Sequence, residues 1–531
     1  MSRTTGADII ARALAAAGAS RAFGIPGGEV LALMQALDRA GIGFTLTRHE
    51  NAAGFIAEGH WHATGALPVL LATLGPGVAN AVNVVANAHQ DRVPLIFLTG
   101  CVEADVAETY THQVFDHRAL LAPVTKASFR ATPGALGPMM AKAIGIATAC
   151  QPGPVHIDVP IAVAEGAADE PGAAAQPRTA AAAPTGDTLH AARAALAAAK
   201  RPIAIAGLDA VNEGAGAAVA SFCRTRAVPL ITSYKGKGLL DEGDPLSLGG
   251  AGLSPKADAI LLPLLQQSDC ILLLGYDPIE MRANWRNPWP ADATVIEIAS
   301  APRSHGMHTV SHLLTGTLAG TLPLLAPALT NAPNWAAEAR RALAEAFAPG
   351  DWGPAAVFDT LRDIVPADTV ITADSGAHRI LLSQIWRCAG PRTMLQSTAL
   401  CTMACAVPLA AGYALGAPGR PVIAFVGDAG LEMGLGELAT LRDLRLPVVI
   451  VVLVDESLAL IELKQRGAQR PNLGVDFGGT DFPAVAAALG GHGVWVDDAD
   501  TLRTEAGAAL AREGFTILAC RIGRRAYDGA F

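Results

Sequence analysis

The sequence has few cysteines, and they lack the close spacing on which disulfide-bonded and zinc-binding proteins depend. Its 531 residues include eight cysteines, and no two of them have the C-x-x-C spacing that is typical of metal and redox sites. We therefore expect reduced and mostly buried thiols, as is usual in a long chain without an export signal. His305, His308 and His312 have a spacing that suits a metal, but no nearby cysteine or carboxylate supports such a site. We interpret them as part of a surface loop.

Basic clusters and long apolar runs are also absent. The net charge is −9, the acidic residues are spread along the chain, and no block of Lys and Arg is suited to bind nucleic acid. Apolar runs such as 447–454 are far shorter than the roughly 20 residues that a membrane-spanning helix needs. Arg3 and Asp8 lie where a signal peptide needs its apolar core. These patterns predict a cytoplasmic protein that binds neither nucleic acid nor membranes.

The sequence has enough apolar material for several buried cores, because hydrophobic residues make up 51% of it. At roughly 100–200 residues per domain, the length suggests about three domains. Two linker-like stretches, 164–185 and 326–353, divide the chain, although an amphipathic helix is predicted over 335–347 within the second. We predict an N-terminal domain over 1–165, a middle domain over 186–328 and a C-terminal domain over 353–531.

Each of the three blocks contains short runs rich in Val, Ile and Leu, separated by helical segments. The runs are mostly continuous rather than alternating, which is typical of strands in parallel sheets covered on both faces. We therefore predict an α/β protein with three open parallel-sheet domains. Ligands of such sheets bind at the carboxyl ends of the strands. The predicted strands include 67–72, 94–98, 202–206, 270–274, 294–298, 421–426 and 447–454.

A candidate metal and phosphate segment lies in the third block. A strand over 420–426 ends in the turn 427–430, and a helix is predicted over 431–445. Small residues in such a turn let backbone N–H groups approach a phosphate, but Asp428 in the turn repels phosphate unless a cation such as Mg²⁺ bridges them. Asp455 ends the next apolar strand 27 residues later, which is enough for a helix and a returning strand. Both carboxylates should then meet at one sheet edge and share one cation.

This segment, GDAG-LEM followed by LPVVIVVLVDES, resembles the motif of thiamine-diphosphate enzymes that begins Gly-Asp-Gly and ends near Asn-Asn. The resemblance implies thiamine diphosphate and Mg²⁺ as cofactors. It also implies that Asp428, Asp455 and the backbone carbonyl of Ser457 are the metal ligands. Two residues depart from the motif, because Ala429 replaces a glycine and Asp455 replaces the usual asparagine. Asp ligates Mg²⁺ as well as Asn does, but its extra charge changes affinity or metal preference.

The first block contains RHENAAGFIAEG, just past a predicted strand over 43–46. This segment resembles the one in which the same family carries the glutamate that hydrogen-bonds the aminopyrimidine ring of the cofactor. Thiamine diphosphate must lose the proton on C2 of its thiazolium ring, and a carboxyl group that favours the imino form of the pyrimidine makes this possible. The resemblance therefore implies that Glu50 activates the cofactor.

Four further segments resemble cofactor-contacting parts of this family: FGIPGG and GPGVAN as the two glycine-rich loops, DSGAH at the diphosphate, and LCTMA beneath the cofactor. In the last, the resemblance implies that Met403 forces the bent cofactor conformation and that the carbonyl of Cys401 accepts from the 4′-amino group. The predicted cofactor-binding residues, including those of the turn 427–430, are Pro26, Gly27, Gly75, Asn80, Gly376, Ala377, His378, Cys401, Met403, Gly427, Ala429 and Gly430.

Within this family the resemblance is to the acetolactate synthase branch. THQVFD followed by LAPVTK is similar to a segment of that branch, and Gln113 within it is a predicted catalytic residue. The run GYDPIE, at 275–280, is similar to a run in catabolic, FAD-independent acetolactate synthases.

Gly28 is a further predicted catalytic position. Pyruvate decarboxylase has a proton-donating Asp in this loop, whereas Gly28 leaves space for an acceptor substrate.

The resemblance therefore implies decarboxylation of a small 2-keto acid and ligation of the product to a second keto acid or an aldehyde. Two alternatives stay open: a lyase or decarboxylase that acts on another 2-keto or 2-hydroxyacyl substrate, and a catalytically silent relative. The middle domain could also hold FAD or ADP in a structural role. Because active sites of this family are shared between chains, we expect a homodimer or homotetramer in which Glu50 of one chain serves the cofactor held by the partner's Asp428.

Overall fold

The computed structural model describes residues 4–169, 182–279, 281–301, 303, 305–325 and 334–531. Parts of the two predicted linkers, 170–181 and 326–333, and Glu280 of the GYDPIE run lie outside the described residues. Within the described part, the strands form three sheets of six strands each, and all pairs of neighbouring strands are parallel. The predicted α/β fold with three parallel sheets is thereby confirmed. The three domain boundaries stay a prediction.

The first sheet consists of β1 (Arg21–Ile25), β2 (Gly43–Leu46), β3 (Val69–Ala72), β4 (Ile96–Cys101), β5 (Ala127–Arg130) and β6 (Val155–Pro160). Its strand order is β2-β1-β3-β4-β6-β5, so the direction of winding changes between β1 and β3. Such a switch point is where ligands of open α/β sheets bind. The accompanying helices are α1 (Gly6–Ala16), α2 (Leu31–Arg39), α3 (Glu50–Thr64), α4 (Pro76–Gln90), α5 (Ala104–Ala107), α6 (His117–Leu121), α7 (Leu136–Thr148) and α8 (Ile161–Glu165).

The second sheet consists of β7 (Pro202–Ala206), β8 (Leu230–Ser233), β9 (Ser247–Ala251), β10 (Cys270–Leu274), β11 (Thr294–Ala299) and β12 (His312–Thr315). The order β12-β11-β10-β7-β8-β9 places its switch point between β7 and β10. The accompanying helices are α9 (Asp187–Ala198), α10 (Leu208–Asn212), α11 (Gly216–Arg226), α12 (Pro255–Leu265) and α13 (Leu318–Leu325).

The third sheet consists of β13 (Val370–Ala373), β14 (Met394–Gln396), β15 (Val422–Gly427), β16 (Val448–Val454), β17 (His492–Val496) and β18 (Thr516–Arg521). The order β14-β13-β15-β16-β18-β17 places its switch point between β13 and β15. The helices of this part are α14 (Ala337–Ala346), α15 (Pro354–Ile364), α16 (Ala377–Ile385), α17 (Ala406–Gly416), α18 (Asp428–Met433), α19 (Glu437–Asp443), α20 (Ala459–Gly467), α21 (Phe482–Ala488) and α22 (Ala499–Leu510). The amphipathic helix predicted over 335–347 corresponds to α14.

Helices α3 and α17 join the first and third parts of the chain by direct backbone contact. A Cβ atom on Gly59 would lie 2.1 Å from the carbonyl oxygen of Leu409, and one on Gly412 would lie 1.9 Å from that of Ile56. Only glycine permits so close an approach of two helices. The helix that begins with Glu50 is therefore fixed against the third part of the same chain.

Two expectations about local structure are wrong. The single helix predicted over 431–445 is two helices, because α18 starts already at Asp428 and Gly434 and Gly436 separate it from α19, where glycine weakens helical structure. The interpretation of His305, His308 and His312 as a surface loop is wrong for His308, whose side chain is only 1% exposed, and for His312, which begins β12. His308 packs between the rings of Tyr276 and Trp289. The spacing of the histidines could not predict this burial, because Tyr276 and Trp289 come from other segments of the chain.

The cysteines are as the sequence predicts, since all eight are free and six of them are buried. Among the described residues, no helix combines the length and the apolar character that crossing a membrane requires.

Candidate active site

Asp428 and Asp455 come together at the carboxyl edge of the third sheet. Strands β15 and β16 are parallel neighbours whose last paired residues are Gly427 and Leu453, so the residues that follow them share one edge. The Oδ2 atom of Asp428 accepts hydrogen bonds from the backbone N–H groups of Asp455, at 3.0 Å, and Glu456, at 2.7 Å. The carboxylate of Asp428 thus lies directly against the backbone of Asp455, so the two residues meet at one edge, as the offset along the chain predicts.

The electrostatics of this pair favour a bound cation. Both side chains are buried, and no Lys or Arg of the described chain forms an ion pair with either of them. Burial raises the pKa of Asp428, although three backbone N–H groups oppose the shift. Burial and the neighbouring Asp428 carboxylate raise the pKa of Asp455 to about 8. Two buried carboxylates with an adjacent backbone carbonyl at Ser457 form the oxygen-rich donor set that Mg²⁺ prefers, so the residues present fit the metal.

A cavity of about 150 Å³ lies directly over this pair. It is lined mainly by residues at or just past the ends of β13, β15 and β16, and it includes the N-terminal end of α16, where free backbone N–H groups favour an anion. The sequence-predicted residues that line it are Gly376, Ala377, His378, Met403, Gly427, Asp428, Ala429, Gly430, Asp455 and Ser457. A diphosphate held by a cation fits this combination of small residues, helix terminus and carboxylates.

Two residues of this site were not predicted from the sequence. Asp374 is fully buried; its Oδ1 lies 2.9 Å from Nε2 of His378, and its Oδ2 accepts from the backbone N–H of Ala404 at 2.9 Å. Asp374 therefore holds two predicted cofactor segments together. Tyr527 lies near the end of the chain, yet its buried ring lines the cavity, and burial raises the pKa of its hydroxyl. The DSGAH segment gave a signal for Asp374, whereas nothing in the sequence marked Tyr527.

The LCTMA segment has the backbone of a glycine-rich turn without its glycines. Cys401 and Ala404 have φ angles of +54° and +63°, in the left-handed region that non-glycine residues rarely adopt. The strain is opposed by local hydrogen bonds: Arg379 donates to Sγ of Cys401 at 3.2 Å, and this thiol donates to the carbonyl of Thr398 at 3.0 Å. Met403 follows this turn and lines the cavity over Asp428.

Glu50 lies at the carboxyl edge of the first sheet. It is the first residue of α3, and its side chain is buried against the start of α4. The Nδ2 atom of Asn80 donates to Oε2 of Glu50 at 3.0 Å. A Cβ atom on Gly77 would lie 3.4 Å from Oε1, so a glycine at this position leaves room for the carboxylate. Glu50 and Asn80, which the resemblance implied separately, are in direct contact.

The two glycine-rich loops meet beside Glu50, at the switch point between β1 and β3. The hydroxyl of Thr73 donates to Oε2 of Glu29 at 2.6 Å, and this carboxylate lies against Gly27, just after Pro26 at the end of β1. A Cβ atom on Gly28 would meet nothing within 4 Å, so this position faces open space. The first glycine-rich loop therefore has open space at Gly28, next to the carboxylate of Glu29.

Gln113 lies against the second loop. A Cβ atom on Gly75 would come within 2.5 Å of the carbonyl oxygen of Gln113, and Gly75 itself has a φ of +66°. Only glycine is compatible with both the contact and the backbone conformation. The predicted residues of the first block, Pro26, Gly27, Gly28, Glu50, Gly75, Asn80 and Gln113, thus cluster at one sheet edge.

The structure separates the predicted site into two groups. Among the described residues, those that line the cavity over Asp428 all come from the third part of the chain, between Ser375 and Tyr527. Glu50, Gly28 and Gln113 are not among them. Glu50 and its partners, the glutamate half-site, thus lie outside the cavity over Asp428 and Asp455, the candidate metal half-site. His49 and Asn51, which flank Glu50, line a second cavity together with Cys401 and Met403.

The chain was compared with known proteins. Residues 4–120 match the N-terminal thiamine pyrophosphate (TPP) binding domain of the TPP enzymes, residues 189–325 match their central domain, and residues 374–520 match their C-terminal TPP binding domain. A probable 2-ketoarginine decarboxylase of Pseudomonas aeruginosa is 31% identical over 97% of this chain and 94% of its own length. The chain belongs to the thiamine pyrophosphate enzymes.

Other members of this family of thiamine pyrophosphate enzymes are similar over nearly the whole chain as well. An acetolactate synthase of Bacillus subtilis is 28% identical over 97% of this chain and 93% of its own length. A catabolic acetolactate synthase of Raoultella terrigena is 28% identical over 98% of this chain and 95% of its own length. The predicted cofactor, thiamine diphosphate, and the resemblance to the acetolactate synthase branch are thereby confirmed.

Proposed function

We propose that this thiamine pyrophosphate enzyme decarboxylates a small 2-keto acid and joins the remaining fragment to a second keto acid or an aldehyde. The observation that carries the proposal is that one chain has both an Asp428–Asp455 half-site and a Glu50–Asn80 half-site, each at the carboxyl edge of its sheet. Relatives that are named acetolactate synthases support carbon–carbon ligation. The intact Glu50 argues against a catalytically silent relative.

The proposed cofactors are thiamine diphosphate and Mg²⁺. Asp428, Asp455 and the carbonyl of Ser457 would hold the metal, and the segments around Gly376 and Gly430 would hold the diphosphate. When bound, thiamine diphosphate supplies the carbon nucleophile and the electron sink that cleavage next to a keto group requires. The protein's own contribution is to bind and orient the two cofactors and, through Glu50, to exchange a proton with the pyrimidine ring.

Decarboxylation without ligation is the second candidate. The open position at Gly28 favours ligation, because it leaves room for an acceptor. The carboxylate of Glu29, one residue further on and hydrogen-bonded to Thr73, favours simple decarboxylation, since it places an acid in the loop where decarboxylases of this family carry one. The relative that is named a probable 2-ketoarginine decarboxylase supports this alternative and suggests a longer, cationic substrate.

A substrate comparison distinguishes these candidates. We expect the purified protein, supplied with thiamine diphosphate and Mg²⁺, to consume pyruvate and to form a product that yields acetoin after acid treatment. Carbon dioxide and acetoin are measured in parallel with 2-ketoarginine as an alternative donor. Release of CO₂ and free aldehyde from 2-ketoarginine, without turnover of pyruvate, would replace ligation by decarboxylation. Absence of any cofactor-dependent CO₂ release from either donor would contradict the proposal.

We further propose that the two half-sites meet between chains of a homodimer or homotetramer. The separation of Glu50 from the cavity over Asp428 within one chain supports this arrangement, because neither half-site alone has both a metal and an activating glutamate. A closed two-fold interface would pair each glutamate half-site with the partner's metal half-site.

Mixed oligomers test the shared site. Glu50→Gln and Asp428→Ala chains should each be nearly inactive alone, whereas mixing them should restore some activity, because each hybrid pair contains one intact site. Differently tagged chains and sequential affinity purification establish that subunits have exchanged. Purified hybrids without activity above that of the parents would argue against the shared site.

The middle part of the chain does not fit FAD. Its sheet has a cavity of about 300 Å³ at the switch point between β7 and β10. Arg92 closes it from the first part of the chain by ion pairs to Asp209 and Asp277. The carboxylate of Glu297 also faces the cavity and pairs with Arg303 at 2.8 Å. The three acidic groups exceed the two arginines, so the net charge of the lining opposes the diphosphate of a flavin dinucleotide. We therefore propose that no FAD is needed.

A further inference from the structure

A buried network of polar side chains lies beside the glutamate half-site. His117, His156 and Asp158 are close enough to one another to hold a metal ion, and all three are buried. Each side chain, however, already has hydrogen-bonding partners. Nδ1 of His117 lies 2.8 Å from Oδ1 of Asp158, and the two nitrogens of His156 lie 2.8 Å from the hydroxyls of Ser128 and Thr99. The arrangement is a satisfied hydrogen-bond network rather than a metal site.

The backbone N–H of Gly75 can only donate a hydrogen bond, and this fixes the direction of the other hydrogen bonds in the network. The backbone N–H of Gly75 donates to Nε2 of His117 at 3.1 Å, so this nitrogen carries no proton. Nδ1 of His117 must then carry the proton and donate it to Asp158. The hydroxyl of Thr99 also donates to Asp158, at 2.7 Å. Burial alone would raise the pKa of Asp158, but the hydrogen bonds from His117 and Thr99, together with the nearby His156 ring, hold that pKa well below its usual range.

The network therefore ends on the second glycine-rich loop. Asp158 lies on the inner strand β6 and stays ionised, so it orients the His117 ring, and the ring holds the N–H of Gly75. Gly75 in turn touches Gln113, which lies four residues before His117 and also has a left-handed φ, of +59°. The position of the His117 ring therefore affects both residues of this contact: Gly75 through the hydrogen bond, and Gln113 through the short stretch of chain between them.

The same loop leads into the helix that faces Glu50. Gly75 precedes the first residue of α4 without a side-chain cap, so His117 accepts one of the N–H groups at this helix start. Two residues further on, Gly77 lies against the Glu50 carboxylate, and Asn80 donates to it. A shift of the loop would therefore move Gln113 and the partners of Glu50 together.

We propose that His117, oriented by Asp158, is a positioning residue that fixes the second glycine-rich loop and Gln113 relative to Glu50. The inference deepens the proposed function and rests on it for the catalytic importance of Glu50 and Gln113. His117 itself contacts backbone and Asp158, so its effect on turnover passes through the residues that it holds.

Amide hydrogen exchange on the cofactor-free protein tests the anchoring independently of any activity. We expect the Gly75 amide, followed in a peptide that spans the end of β3 and the start of α4, to exchange about 10-fold faster in His117→Leu than in the wild type. His117→Gln retains an acceptor of similar reach and should restore most of the protection. His190→Leu, which changes an exposed histidine of α9, is the control and should leave this peptide unchanged. Unchanged exchange in His117→Leu would overturn the anchoring.

A double-mutant cycle tests the effect on the reaction. We expect His117→Leu to lower kcat by roughly 10–100-fold, the usual cost of a small misplacement, with less change in cofactor retention. His117→Gln should recover most of this loss. If His117 acts through Gln113, Gln113→Ala should cost much less in the His117→Leu background than in the wild type. Independent, multiplicative losses would overturn the proposal. Failure of the wild type on every donor would instead contradict the proposed function, while hydrogen exchange would still report on the anchoring.

Discussion

Asp428→Ala should remove bound thiamine diphosphate from the protein during gel filtration and lower turnover by about 10³-fold, equivalent to about 4 kcal/mol. The physical reason is that Asp428 is buried next to Asp455, where no Lys or Arg of the described residues forms an ion pair with either, and metal and diphosphate each compensate the charge of the other. Loss of one carboxylate should therefore weaken the binding of both. Cofactor content is measured by fluorescence after oxidation, and Mg²⁺ affinity by calorimetry.

Two further variants separate metal binding from folding, because Asp428 also accepts three backbone hydrogen bonds. Asp428→Asn can turn its one amide oxygen to the N–H groups of Asp455 and Glu456 and loses the contact with Ala429. It should therefore lower the melting temperature less than Asp428→Ala does, while it still loses Mg²⁺ affinity. Asp500→Ala changes an exposed carboxylate of α22 and should leave cofactor and activity intact. Full cofactor content and normal turnover in both Asp428 variants would show that the metal is bound elsewhere.

The meeting of Asp428 and Asp455 at one sheet edge could be predicted from the sequence, because the ends of parallel neighbouring strands lie at the same edge. Once β15 and β16 are recognised as adjacent, the residues that follow them must share an edge, and Asp428 and Asp455 do so. The break between α18 and α19 was missed because apolar periodicity continues across Gly434 and Gly436. The predicted metal ligands were unaffected, since the backbone returns to the same edge in either case.

Contacts between distant segments could not be predicted in the same way. Tyr527 reaches the cavity from beyond the last strand, and its position depends on how the chain end packs over α20. The Asp158–His117–Gly75 network joins a strand, a short helix and a loop, and no spacing in the sequence relates them. The close packing of α3 against α17 likewise joins distant segments that no local pattern relates.

Glu50→Gln should lower turnover by roughly 10²–10⁴-fold, the usual worth of a positioned acid–base group, with only a modest loss of cofactor binding. The variant keeps the size of the side chain and an oxygen that accepts from Asn80, so folding should be preserved. It cannot take up or release the proton that the pyrimidine ring requires. The direct measurement is exchange of the cofactor's C2 proton with deuterium, quenched in acid and followed by NMR, which should slow by a similar factor.

Helix α3 provides a matched control for this substitution. Glu58 is also buried on α3 and also accepts from an asparagine of α4, Asn87, at 3.1 Å. It packs toward Lys235 rather than toward the glycine-rich loops, so Glu58→Gln should leave C2 exchange unchanged. If exchange in Glu50→Gln stays fast while turnover collapses, Glu50 acts at a later step. If both stay normal, Glu50 merely stabilises the start of α3, and another group must activate the cofactor.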